Sequence, residues 1–138
     1  DLVAEYMLGV EPREYWSPLR IRANGAALRT VTARPILVHN STPAGDANKA
    51  QWWRTFLRCL GEWTTAVAFQ FPKRDTRKGF LAHPDDVKAW TEFLLPRCHR
   101  EGWWFYASEY ADRRPEAKAR ALGRLALAHG ADGAMNGC

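Results

Sequence analysis

Four cations fall within six residues in the run Lys73-Arg74-Asp75-Thr76-Arg77-Lys78. A second pair, Arg113-Arg114, follows an aromatic stretch later in the chain. Lysine and arginine gathered on a loop hold phosphates by charge-assisted hydrogen bonds, which are shorter and stronger than neutral ones. Exposed Trp or Tyr rings beside such a cluster can stack on bases. The formal net charge of +5 over 138 residues, with a pI near 9.4, suits an anionic partner. The first expectation is therefore a small basic nucleic-acid-binding domain, working within a larger replication, defence or viral assembly. Lys73, Arg74, Arg77 and Lys78 are expected to contact phosphates, with Arg113 and Arg114 assisting.

A second chemistry is suggested by Glu109, which sits in the aromatic run Trp103-Trp104-Phe105-Tyr106-Ala107-Ser108-Glu109-Tyr110. A carboxyl group buried among rings has its pKa raised and can move a proton near neutral pH. Asp112 is close in sequence, and His83 is a further candidate base. These residues make a small hydrolase or nuclease an alternative expectation. His83-Pro84-Asp85-Asp86-Val87-Lys88 carries the letters of a PD-(D/E)xK nuclease, but there the two halves are separated and lie on strands. Contiguous, the letters describe a helix start, with proline in the first turn and two carboxylates at the positive end of the dipole. Tyr106 and Tyr110 have the spacing of paired nuclease tyrosines but lack a His-hydrophobic-His partner motif. Cys98, His99 and Cys138 show no metal-ligand spacing, so neither a metal nor a cofactor is expected. The other alternative is a structural or protein-interaction module, a subunit docking through the aromatics Tyr15 and Trp16 on a partner.

The elements that must position these groups follow from periodicity and punctuation. Asp1 to Gly9 suggests a short helix. Val10 to Arg22, with Pro12 and Pro18, suggests an extended arm, and Asn24-Gly25 a turn. Ala27 to His39 is rich in β-branched residues and suggests one strand or two. Thr42 and Pro43 suggest the cap of a helix running to Leu60, with Trp52, Phe56, Cys59 and Leu60 on its buried stripe. Thr64 to Phe71 alternates cleanly: Thr65, Val67, Phe69 and Phe71 share one face. The small residues Ala66 and Ala68 on the other invite a helix to sit close. A helix from Pro84 should bury Val87, Trp90, Leu94 and Cys98, with Pro96 kinking or splitting it. Trp103 to Tyr110 suggests a central strand. Pro115 to His129 suggests a helix, and Ala131 to Cys138 a loose tail.

This order implies an α/β or α+β fold, with a small sheet of three to four strands packed with about three helices and preceded by an extended N-terminal arm. The domain reading is an N-terminal helix and arm over 1–26, an α/β core over 27–130 and a flexible tail over 131–138. Three cysteines without a CxxC suggest reduced thiols in a cytoplasmic or other reducing intracellular compartment, with Cys59 and Cys98 in the core. No run is long and apolar enough to span a membrane, so no membrane partner is expected.

Overall fold

The computed structural model describes residues 5–10, 16–43, 48–72, 82–108 and 116–135. Strands and helices alternate along the chain as β1 (Tyr6–Val10), α1 (Pro18–Val31), β2 (Ile36–Ser41), α2 (Lys49–Leu57), β3 (Ala66–Gln70), α3 (Pro84–Arg100), β4 (Trp104–Ser108), α4 (Glu116–Ala128) and β5 (Gly133–Met135). All five strands are parallel, and their order in the sheet is their order in the sequence. The fold is thus α/β, with five strands among the described residues rather than three to four and four helices rather than about three. Each strand is added on the same side of the one before it. Right-handed crossovers then deliver every helix to the same face of the sheet. This singly wound arrangement is the one that closes into an eight-stranded barrel when continued.

The helix-bearing face is apolar and aromatic. Ile36, Val38, Val67, Phe69, Phe105 and Ala107 point into one cluster with Ile21 of α1, Trp53 and Phe56 of α2, Val87, Trp90 and Leu94 of α3, and Leu122 and Ala126 of α4. Phe69 is fully buried and meets Phe56 at 5.0 Å, Trp52 at 5.5 Å and Phe105 at 5.9 Å between ring centroids. Burying one such side chain contributes about 1.5–3 kcal/mol, so this ring cluster dominates the core. Trp52 also stacks on Phe56 and meets Trp90 edge-on at 5.3 Å, locking α2 to α3.

The helix ends explain where the chain departs from the expected elements. Pro18–Val31 is helical, where the sequence suggests an arm followed by a strand. Ser17 caps it by accepting from the Arg20 N–H at 3.3 Å, and Pro18 occupies the first turn. Gly25, expected in a turn, lies inside α1, buried directly against the Trp63 indole. Tyr6–Val10 is a strand, not a helix. Thr42 is not a helix cap: it follows β2, and its hydroxyl donates to the Gln70 carbonyl at 2.8 Å. Asn48 caps α2 instead, accepting from the Gln51 N–H at 3.0 Å. Pro96 lies inside α3, which continues to Arg100 and ends at Gly102, where φ is +76°. Gly133–Met135, expected in the tail, forms the fifth strand because Asp132 anchors it: its N–H donates to the Phe105 carbonyl at 3.0 Å. No helix of the described residues is long and apolar enough to cross a membrane.

Candidate functional site

Side chains alternate across a strand, so the residues between the core positions lie on the other face. There Leu37, Ala66 and Ala68 form a second buried cluster with Tyr106 and Met135, and no described helix residue joins it. The small face of β3 is therefore not where a helix sits, as its alanines suggested. The helices lie on the Val67 and Phe69 side. Register orders the helix-free face in rows. Leu37, Ala66 and Trp104 form one row; His39, Ala68, Tyr106 and Gly133 the next. Ser41, Gln70, Ser108 and Met135 form the last, at the carboxyl ends of the strands.

This last row turns polar while the rows behind it are mostly apolar. Ser41 donates to Gln70 Oε1 at 2.7 Å, and the Gln70 carbonyl accepts from both the Thr42 N–H and the Thr42 hydroxyl. Asn40 Nδ2 donates to the Ser41 carbonyl at 2.9 Å. Gln70 and Ser108 are buried, and His39, one row back, is 2% exposed. Burying such groups costs free energy unless hydrogen bonds replace water. The cross-strand bonds of Ser41, Thr42 and Gln70 meet that cost for Gln70 and tie β2 to β3 at the row. Ligands of parallel β/α sheets bind outside the carboxyl ends of the strands, where several strands each bring one functional side chain.

Glu5, just before β1, and Asp132, just before β5, both act on the Tyr106 phenol of β4, whose pKa is raised first by burial and then by these two negative charges. The Tyr106 ring lies over Gly133, where a Cβ would overlap its Cδ1 and Cε1 atoms. This glycine lets the ring lie flat on the last strand.

The sequence-predicted residues divide sharply. Tyr15, Lys73, Arg74, Arg77, Lys78, Glu109, Asp112, Arg113 and Arg114 lie outside the described residues. Trp16 packs against the domain's own core, with the Arg20 guanidinium 5.4 Å from its ring. His83 is the N-cap of α3: its Nδ1 accepts from the Asp85 N–H at 3.3 Å and lies 3.4 Å from the Asp85 carboxylate. At the opposite, amino edge, His99 Nε2 lies 2.8 Å from Asp132 Oδ2, which also accepts from the Phe105 N–H at 2.7 Å. Cys98 beside it is buried and free, and burial together with the Asp132 charge raises its thiol far above the usual range. No group of three His, Cys, Asp or Glu among the described residues is placed to hold a metal ion. Sequence reasoning missed Ser41, Gln70 and Ser108. Their common signal is a polar residue ending an apolar strand: Asn40-Ser41, Gln70 and Ser108 each occupy that position.

No protein-family model matches the chain, and no curated protein sequence matches it. Solved structures do. A 2,3-dimethylmalate lyase of the PEP mutase/isocitrate lyase superfamily aligns over 88% of this chain with a TM-score of 0.62 and 16% identity. A putative α-L-fucosidase from Bacteroides thetaiotaomicron aligns over 87% with a TM-score of 0.61 and 18% identity. The chain spans 41% of the length of each. At these identities the likeness is one of fold.

Proposed function

We propose that the protein binds a small, neutral, hydroxyl-bearing ligand at the carboxyl edge of its sheet and acts on it as a hydrolase. The observation that supports this reading is the in-register row Ser41, Gln70 and Ser108, on the face of the sheet whose buried cluster no described helix residue joins. Hydroxyl and amide groups both donate and accept, which matches a ligand rich in hydroxyls. No charged side chain belongs to that row among the described residues. Glu109 directly follows Ser108 in the sequence. We assign it the proton-transfer role, with Asp112 on the same connection. One fold neighbour is a putative fucosidase, an analogy of fold alone.

Saturation-transfer NMR against neutral monosaccharides, dicarboxylates and short oligonucleotides tests the reading. Neutral sugars should bind, and Gln70→Ala and Ser108→Ala should each weaken them by about five- to tenfold, the worth of one hydrogen bond. Absence of sugar binding, or binding indifferent to both substitutions, overturns it.

A nucleic-acid reading is favoured by one specific observation. β3 and β4 are parallel neighbours, so the connections carrying Lys73 to Lys78 and Arg113-Arg114 leave from adjacent strand ends at the same edge. Under this reading the oligonucleotide arm binds instead, with affinity falling steeply as salt is added. Oligonucleotide affinity unchanged between low and moderate salt removes it.

A further inference from the structure

Six large apolar side chains among the described residues are exposed: Tyr6, Met7, Leu19, Val31, Trp104 and Leu127. Four of the six belong to the first β/α unit, where β1 forms one end of the sheet. Tyr6 and Met7 project to opposite faces of that end strand and are 38% and 46% exposed. Apolar residues on both faces are the chemistry of a central strand in a parallel sheet. Nothing in the strand, Tyr6-Met7-Leu8-Gly9-Val10, blunts an edge: it holds no charge and no proline. The helix layer is unfinished on the same side. Gly25 and Arg29 of α1 meet Trp63, which leads into β3. At about 100° per residue, Ala27 and Val31 fall on the opposite flank of α1, and Val31 is 78% exposed.

At the far end of the sheet β5 is the other open edge, and α4, the last helix, bares Leu127. Trp104 stands in the first row of the helix-free face with Leu37 and Ala66. The chain exposes 8178 Å² in all, about 900 Å² more than the about 7,300 Å² expected of a compact monomer of 15.7 kDa. One side of a standard protein interface buries about 800 Å².

We propose that two copies of this chain pair edge to edge, with β1 and α1 of each set beside β5 and α4 of the other. The far edge of a second copy supplies the two layers that the near edge lacks: a parallel strand and a helix with a bare leucine. All strands run parallel and the chain is singly wound, so β5 of one copy extends the sheet past β1 of the other without reversing direction. A two-fold axis along the strands satisfies both edges of both copies and leaves none open. That closure also encloses the helix-free face, Trp104 included.

Sedimentation velocity of the full chain tests the proposal. A dimer should dominate at about 50 µM. Met7→Lys and Val31→Glu should each weaken it about tenfold or more, while Lys88→Glu, on the exposed side of α3, leaves it intact. Met7 and Val31 are exposed, so these variants keep the fold, which far-ultraviolet circular dichroism checks. Cys59 and Cys98 are buried. In a Cys138→Ser background, a short bismaleimide should therefore link Val31→Cys protein to Leu127→Cys protein in a mixture, and neither to itself. A monomer at that concentration, a mass that keeps growing with concentration, indifference to both substitutions, or linkage of Val31→Cys protein to itself overturns the proposal.

Discussion

Replacing Gly25 by alanine should cost stability, although alanine is the better helix former. In an open helix the change gains about 1 kcal/mol. Here a Cβ on Gly25 overlaps Cε2, Cζ2 and Cδ2 of the Trp63 indole, inside the 3.0 Å that real Cβ atoms essentially never cross. The ring is closely approached elsewhere too, since a Cβ on Gly61 would lie 2.8 Å from its Nε1. Its backbone is also tied down, because Arg29 donates to the Trp63 carbonyl at 2.8 Å. Expelling the ring exposes about 150–250 Å², worth about 4–6 kcal/mol at the usual transfer coefficient. Strained repacking, at about 1–3 kcal/mol, is the cheaper response. Taking the upper end of that range and subtracting the helix gain leaves a net loss of about 2 kcal/mol. Urea unfolding followed by tryptophan fluorescence and far-ultraviolet circular dichroism should show a lower midpoint at unchanged slope. Ala26→Gly, one residue along on the exposed side, calibrates the helix contribution at about 1 kcal/mol. Combining Gly25→Ala with Trp63→Phe should restore part of the loss, with a coupling on the order of 1 kcal/mol. A Gly25→Ala protein as stable as the parent, or more so, refutes the slot argument.

Gly133→Ala should lift the Tyr106 ring off β5, lower stability by about 1–3 kcal/mol and change the near-ultraviolet circular dichroism. An unchanged tyrosine environment would count against the overlap. Asp132→Ala leaves the Phe105 N–H without its side-chain acceptor, for a loss of about 1–3 kcal/mol. Amide exchange at Phe105 should accelerate while the β2–β3 amides stay protected. The Cys98 thiol should resist iodoacetamide in the native protein well above pH 9.0, its ordinary value, and react on unfolding. Its raised folded-state pKa means the folded protein holds this proton more tightly than the unfolded chain. The resulting stabilisation is complete below the unfolded value and declines as pH rises past it towards the folded one. Urea midpoints from pH 7 to 10 should therefore fall less steeply in Cys98→Ala than in the parent.

The elements with strong periodicity were legible in the chain. Val87, Trp90, Leu94 and Cys98 recur at helical spacing and are all buried in α3, and the alternation of β3 is real. Three elements were not. α1 buries only Ile21 and Gly25, so it carries almost no apolar stripe, and its glycine imitates a turn. β1 holds a glycine and no run of β-branched residues, and β5 has three residues held by pairing and by Asp132. Which face of β3 would meet helices could not be read from β3 alone. Small residues fit equally a face against a close helix and a face that helices leave free, and strand order decides between them. The polar row was hidden for a similar reason. Ser41 and Gln70 lie 29 residues apart, and only parallel register makes them neighbours. The basic clusters, conspicuous as letters, lie outside the described residues.

Because the strands pair in the order they occur, no strand has to wait for a distant partner. Phe105 and Asp132, which tie the last two strands together, are only 27 residues apart, and Ser41 bonds to Gln70 across a similar interval. Short loop closures cost less entropy than long ones and speed folding. A chain emerging from the ribosome can thus dock β2 on β1 and β3 on β2 before β4 exists. Each new β/α unit is templated by the one already in place, and assembly proceeds in one direction, as it does in repeat proteins that grow from neighbour to neighbour.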